Sequence, residues 1–128
     1  MPTSTTTTHL LSSALLGIVE QAGLGVVTLI ENLERDELLR SRLTRYEVQR
    51  QLKTLADSLG QIIPPDRQLM PELDWDGWQS LRAPLSTITP SPELDEALWF
   101  ACESLVPATL LWLRVYQQSQ PELFRMAA

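Results

Sequence analysis

The sequence predicts an all-α fold, an up-and-down bundle of four to five helices. Apolar residues recur at three- and four-residue steps through most of the chain, no alternating apolar run has the length of a strand, and no β-hairpin dipeptide occurs. With 128 residues, 44% of them hydrophobic, the chain suits one domain. We expect the bundle to span 10–118, between a flexible N-terminal tail at 1–9 and a C-terminal tail at 119–128.

The first helix is predicted from Leu10 to Leu33, where apolar residues repeat at helical spacing. Gly23 and Gly25 lie inside it, and a glycine costs roughly 1 kcal/mol relative to alanine in a helix. We therefore expect the two glycines to permit a close helix crossing or a bend, and the crossing is favoured. The same smooth face also suits a dimer seam, an alternative that the sequence leaves open.

The second long helix is predicted to begin with a capping box, Thr44 to Glu47, in which hydroxyl and carboxylate each satisfy a free backbone amide. It is predicted to end before Pro64, because a proline ring removes an amide donor and clashes with the preceding turn. The charged segment 34–43, between the two long helices, is expected to form a further short helical turn.

Prolines and caps divide the second half of the chain. A short helix is predicted to open at Asp74 as its N-cap and to end at or near Arg82, because Pro84 forces a loop. The next helix is predicted to open with Ser91 as its N-cap. Pro107 lies inside the last helical pattern and is expected to kink or restart that helix.

Charge and cysteine content restrict the functional classes. Sixteen acidic against ten basic side chains give a formal net charge of −6, which disfavours general affinity for nucleic acids. Several arginines cluster within 35–50. They could form a local anion-binding face, but the favoured interpretation is a solvated helix face with ion pairs. The single cysteine, Cys102, lies among apolar residues and is interpreted as a buried hydrophobe. The N-terminus has no cationic segment and polar residues interrupt its apolar stretch, so we expect a cytoplasmic protein without a membrane span.

Few residues offer chemistry. His9, the only histidine, lies far in sequence from any candidate partner and is interpreted as a solvated residue at a helix terminus. The sequence has no Cys/His cluster, no glycine-rich phosphate loop and no nucleophile motif, and therefore predicts neither a metal site nor a cofactor. Trp75 and Trp78 share one face of the short helix, where they either stack on a base or, more commonly, pack in the core.

One set of motifs carries a family resemblance over roughly residues 10 to 115. Its members are Glu37-Leu38-Leu39; Thr44, Val48, Arg50, Leu52 and Leu55; Trp75, Trp78 and Arg82; Leu98-Trp99; and Pro107, eight residues after Trp99. In this order and spacing the chain resembles the HEPN superfamily, and more narrowly the HepT-type proteins, once catalogued as nucleotidyltransferase substrate-binding proteins.

The resemblance implies a helical bundle that dimerises, with an Arg-x4-His motif from both protomers in a shared cleft. In active members the histidine serves metal-independent RNA cleavage. Many are toxins neutralised by a small nucleotidyltransferase, which in some systems modifies a tyrosine two residues beyond the histidine.

In this chain the motif is degenerate. Arg82 matches the arginine, but Thr87 stands where the histidine would be and Thr89 where the tyrosine would be. The Gly-Glu pair that the family tends to place in its second helix is Ala56-Asp57 here. A threonine hydroxyl does not titrate near neutral pH, so it cannot replace an acid–base imidazole, whose contribution is typically about 10²- to 10⁴-fold.

The sequence therefore predicts a non-catalytic HEPN/HepT-like homodimer that acts as an interaction protein, with a nucleotidyltransferase-type protein as candidate partner. Candidate binding residues are Arg82, Trp75 and Trp78, and nucleotide or RNA binding through Arg82 is the weaker expectation. The alternative is a HepT-like RNase with weak or altered activity, in which Arg82 and the hydroxyls of Ser86 or Thr87 orient the RNA. A third interpretation is homo-oligomerisation within a larger assembly.

Overall fold

The computed structural model describes residues 2–125 of the chain, and their side chains from residue 10 onwards. No strand occurs within residues 2–125, which confirms the all-α prediction. The helical elements are α1 (Pro2–Ile30), α2 (Arg35–Arg40), α3 (Arg42–Gly60), α4 (Pro64–Gln68), α5 (Trp75–Leu85), α6 (Pro92–Phe100), a π-helical turn (Ala101–Leu105), α7 (Val106–Ser119) and a 3-10 turn (Pro121–Phe124).

The long helices form a bundle in which neighbours in sequence are neighbours in space. Helix α1 packs against α3 and α7, α3 packs against α5, and α5 packs against α6. Helices α6 and α7 continue one another through the π-helical turn and count as one long helix. The four long helices then pack in the sequence expected of an up-and-down bundle. The core between the helices contains fully buried leucines from α1, α3, α6 and α7, among them Leu16, Leu55, Leu98 and Leu113.

Two predicted N-caps are confirmed and one is wrong. Asp74 Oδ1 accepts the Gly77 amide at 2.9 Å, and Ser91 Oγ accepts the Leu94 amide at 3.1 Å. Thr44 does not cap a helix, because α3 begins at Arg42 with Ser41 as its N-cap. The physical reason lies in α2, whose fully buried Leu38 fixes that helix so close to α3 that only Ser41 separates them.

Pro84 does not end α5 where the sequence predicts. The helix includes Pro84 and continues to Leu85, whose side chain is buried. The amide of Gln49 on α3 donates to the Leu85 carbonyl at 2.9 Å and to the Thr87 carbonyl at 2.8 Å. These bonds satisfy two carbonyls at and just beyond the C-terminus of α5, where helix carbonyls lack backbone donors.

Pro107 restarts the last helix through a change of helical register. Immediately before it, Ala101–Leu105 forms a π-helical turn, in which the Val106 amide donates to the Ala101 carbonyl five residues earlier. The wider turn absorbs the disturbance that a proline ring causes in a helix, so α6 and α7 remain in line.

Gly23 provides the predicted close crossing and Gly25 does not. A Cβ at Gly23 would lie 2.9 Å from Cδ2 of Leu110, so α1 and α7 are in close contact there and the Leu110 side chain would have to shift to admit a side chain. A Cβ at Gly25 would meet Gln51 at 3.7 Å, an ordinary contact.

The chain ends differ from the predicted tails. The first helix begins at Pro2, and the side chains of the predicted tail at 1–9, including His9, lie outside the described residues. Beyond residue 118, the 3-10 turn buries Leu123, and Ser13 Oγ donates to the Leu123 carbonyl at 2.7 Å. The packed domain therefore extends into the predicted C-terminal tail.

Two helical stretches, Leu10–Ile30 and Pro92–Ser119, are long and apolar enough to cross a membrane when judged by length and composition alone. In each of them, 39% of the apolar window is buried within the bundle. Core helices of soluble proteins and signal sequences pass the same test, so the two stretches are weak evidence for a membrane.

Candidate functional site

Arg82, predicted as a candidate binding residue, forms an ion pair with α3. It lies in the last turn of α5, and its Nε donates to Asp57 Oδ1 at 3.0 Å. The other oxygen of Asp57 accepts a bond from Lys53 Nζ at 2.7 Å. A longer bond of 3.4 Å joins Arg82 Nη1 to Gln79 on the same helix. The Arg82 side chain is 40% exposed, so part of the guanidinium still faces solvent.

The Asp57 carboxylate is the charge that neutralises Arg82. Partial burial raises the pKa of Asp57, but the hydrogen bonds from Lys53 and Arg82 outweigh that effect, and the pKa lies below its usual value. Asp57 is therefore ionised at neutral pH, and the cluster of Lys53, Asp57 and Arg82 carries one net positive charge. Such a carboxylate is a poor proton acceptor.

Gly60 at the end of α3 makes room for this ion pair. A Cβ on Gly60 would lie only 2.9 Å from Arg82 Nη1, closer than side chains approach one another. The missing side chain lets the guanidinium lie against the end of α3.

Thr87 and Thr89 follow the end of α5 and are both exposed. The Thr87 hydroxyl reaches the Ala83 carbonyl at 3.4 Å, and the Thr87 amide donates to the Pro84 carbonyl at 3.0 Å. The structure thus brings Arg82 together with Asp57 and Lys53, and leaves the two threonines in the segment beyond the helix. Among the described residues, neither threonine hydroxyl forms a hydrogen bond with a group that titrates near neutral pH.

Next to Thr87 lies a hollow of about 230 Å³ between α3 and the end of α5, here called the basic hollow. Its lining consists of Tyr46, Gln49, Arg50 and Lys53 from α3 and residues 85–88. No local pattern in the sequence predicts this hollow, because it depends on the contact of α3 with α5. The spacing of Tyr46, Arg50 and Lys53 at helical steps was the available signal, since it places them on one face of α3.

The two tryptophans predicted as binding residues differ in exposure, and only Trp75 keeps part of its ring accessible. Trp78 is 1% exposed, and its indole N–H donates to Thr109 Oγ1 at 3.0 Å. Trp75 is half-buried, with its N–H bonded to the Met70 carbonyl at 3.0 Å. The Arg67 guanidinium lies 5.3 Å from the centre of the Trp75 ring, a cation–π distance. Trp78 therefore belongs to the core, and Trp75 packs against it with part of its surface exposed.

The arginine run is mostly engaged in ion pairs, as the favoured interpretation predicts. Arg35 pairs with Glu96 at 2.5 Å, Arg50 pairs with Glu47 at 2.6 Å, and Arg45 pairs with Asp95. Two of these pairs fasten α2 and α3 to α6. Their role is therefore partly structural, and exposed pairs of this kind each contribute about 0.2–1 kcal/mol.

Other reactive groups are buried or dispersed. Burial raises the pKa of the Cys102 thiol to about 12, so it carries almost no thiolate at neutral pH. Among side chains from residue 10 to 125, no three His, Cys, Asp or Glu side chains lie close enough together to hold a metal ion.

Comparison with known proteins finds no match: no family model, no curated protein and no solved structure corresponds to the chain. The fold and the site therefore define a class only, an all-α helical bundle with a partly exposed Arg–Asp–Lys cluster beside a small basic hollow.

Proposed function

We propose that this chain is a non-catalytic interaction protein, a HEPN/HepT-like helical homodimer derived from a nucleotidyltransferase-associated toxin–antitoxin system. The observation that carries the proposal is the state of the motif. Arg82 is paired with Asp57, and Thr87 occupies the position of the catalytic histidine.

The absence of a suitable base supports the non-catalytic part of the proposal. Cleavage by acid–base chemistry needs a group that titrates near the working pH. Asp57 is held ionised by Lys53 and Arg82, and its lowered pKa makes it a weak base. The absence of a base holds for the side chains of residues 10–125; that of His9, the single histidine of the sequence, lies outside the described residues.

The dimer is supported by the outward surface of α1, here called the α1 face. From Leu10 to Ile30 the sequence contains only one charged residue, Glu20, whose carboxylate accepts a bond from Gln117. A shallow groove of about 820 Å³ runs along this helix. Exposed apolar side chains gathered on one helix face, beside a groove, are typical of protein interfaces. The exposed residues of the α1 face are Leu11, Gly17, Ile18, Gln21, Leu24, Val27 and Thr28.

The proposed partner is a nucleotidyltransferase-type protein in the cytoplasm, and this part of the proposal follows from the family resemblance. The net charge of −6 supports a protein partner over a nucleic acid, because the average field of the chain repels phosphates.

Two measurements on the purified protein test the proposal. A mixed RNA pool is incubated with the wild type and with Arg82→Ala, and we expect the same background cleavage in both. Cleavage by the wild type that disappears in Arg82→Ala would establish the alternative, an RNase of weak or altered activity.

The second measurement is the oligomeric state by light scattering. We expect a dimer that dissociates in Ile18→Glu, which places a charge on the α1 face, and that persists in the matched control Leu111→Glu on α7. Both positions are exposed in the single chain, so neither substitution disturbs the core. A wild type that stays monomeric at every concentration contradicts the dimer.

A further inference from the structure

The most exposed large apolar side chains of the described residues gather at one end of the bundle. Ile88 is 96% exposed, Leu43 is 85% exposed and Tyr46 is 68% exposed, and every other large hydrophobic in residues 10–125 is less exposed. Tyr46 and Ile88 line the basic hollow, and Leu43 precedes Tyr46 by three residues on α3. Single exposed apolar residues are ordinary, but a cluster around a hollow is typical of a binding surface.

The ion pairs at this surface leave one net positive charge, opposite in sign to the net charge of the chain. The lining of the basic hollow includes Arg50 and Lys53 and no carboxylate. From Arg82 to Pro92 the sequence contains no acidic residue, although the chain as a whole carries −6. Arg50 and Lys53 bond to Glu47 and Asp57, yet their side chains stay 55% and 41% exposed. Carboxylates of a partner can therefore approach both cations from solvent.

The same charge disfavours a second copy of this chain as the occupant. In a symmetric dimer, the same surface of both protomers meets across the axis. Two basic hollows would then face each other, and like charges brought together at an interface are unfavourable.

The size of the hollow favours a side chain over a nucleotide. Sites for drug-sized ligands usually measure about 300–1,000 Å³, and a cavity of about 150 Å³ accommodates benzene. The basic hollow, at about 230 Å³, lies between these values and fits one aromatic or branched aliphatic side chain.

We propose that the basic hollow is the docking site for an acidic segment of a partner protein. One large apolar side chain of that segment enters the hollow between Tyr46 and Ile88, and flanking carboxylates contact Arg50 and Lys53. The inference rests on the proposed function, since it specifies where an interaction protein receives its partner. Gln49 fixes residues 85–87 through two hydrogen bonds, so this wall of the hollow is ordered before the partner binds.

Selection from a random peptide library on the immobilised wild-type protein tests the proposal. We expect enriched peptides with an aromatic or large aliphatic residue flanked by Asp or Glu. Ile88→Ser removes apolar surface that the peptide would bury, so it is expected to weaken the selected peptides at least about tenfold. Arg50→Ala is expected to weaken them as well, and more strongly at low salt.

Two exposed residues of α7 provide matched controls. Leu111→Ser removes an exposed leucine and Arg114→Ala removes an exposed arginine, both outside the basic hollow. We expect peptide affinity to stay the same in both. Thermal unfolding of Ile88→Ser shows whether the fold is intact, which its exposure leads us to expect.

Three outcomes overturn the docking site. They are a library that yields no peptide dependent on Ile88 and Arg50, binding of AMP or ATP that Arg50→Ala abolishes, and a homodimer that Ile88→Ser dissociates. If the peptide selection fails while the protein is dimeric and does not cleave RNA, the docking site is refuted and the proposed function stands. RNA cleavage that depends on Arg82 refutes the proposed function instead.

Discussion

Replacing Thr109 with valine removes the side-chain oxygen that accepts the hydrogen bond of the buried Trp78 indole. The two side chains are 1% and 2% exposed, and the bond between Nε1 and Oγ1 measures 3.0 Å. Valine has nearly the shape of threonine, so the substitution leaves the packing and takes away the oxygen. A buried donor without an acceptor costs about 1–3 kcal/mol. We expect Thr109→Val to lower the free energy of unfolding by this amount.

The expected change is large enough to measure by thermal unfolding. At about 2.1 cal/mol/K per residue, a chain of this length has an unfolding entropy of about 0.27 kcal/mol/K, so the melting temperature should fall by about 4–11 °C. The assay is far-UV circular dichroism, because its signal does not depend on tryptophan fluorescence. All variants are measured at one protein concentration, so that any contribution of dimerisation to the melting temperature stays constant.

A double-mutant cycle with Trp78→Phe isolates the hydrogen bond. Phenylalanine has no N–H, so Thr109→Val should cost much less in that background. Thr28→Val is the matched control, because the Thr28 hydroxyl is exposed and bonds only to the Leu24 carbonyl of its own helix. If Thr109→Val changes stability by less than about 0.5 kcal/mol in both backgrounds, the indole does not depend on Thr109 and Trp78 is not locked in the core.

Three further predictions concern the cluster, the glycines and the cysteine. The folded-state pKa of Asp57 is lowered, so its contribution to stability is present above the unfolded pKa of about 3.9 and is lost as pH falls through the folded pKa. The difference in the free energy of unfolding between wild type and Asp57→Asn, measured with urea, should therefore shrink below about pH 4. An unchanged difference at low pH would contradict the ion pair. Gly17→Ala should stabilise α1 by about 0.5–1 kcal/mol, since nothing lies within 4 Å of the added Cβ. Gly23→Val should destabilise the protein by about 1–3 kcal/mol, because the new side chain would press on Leu110. Equal effects of the two substitutions in urea unfolding would argue against the close crossing. Burial raises the pKa of Cys102 to about 12, so an aromatic disulfide reagent should modify it only after unfolding, and rapid reaction with native protein would refute its burial.

The fold was largely predictable because its signals are local. Apolar spacing identifies the long helices, and Asp74 and Ser91 cap their helices through amides three residues away. The mistaken start of α3 and the longer α5 arise from distant contacts. Buried Leu38 fixes the former, and Gln49 stabilises the end of the latter across 36 residues of sequence.

The candidate site was predictable only in part. The degenerate motif identified Arg82, but its partner Asp57 lies 25 residues away on another helix, and no local pattern joins them. The Lys53–Asp57 pair at i and i+4 was visible in the sequence as an ordinary helical ion pair. The roles of Trp75 and Trp78 were undecided because the same three-residue spacing suits a core face and a stacking face.

The contact between Ser13 and Leu123 bears on how the chain folds while it is being made. The two residues are 110 positions apart, so α1 cannot complete its packing until translation has passed residue 123. Until then, the apolar surface that α1 later buries against α7 and the 3-10 turn has no partner from its own chain, whereas its contact with α3 can form earlier. Contacts of such large sequence separation are expected to slow the completion of the bundle.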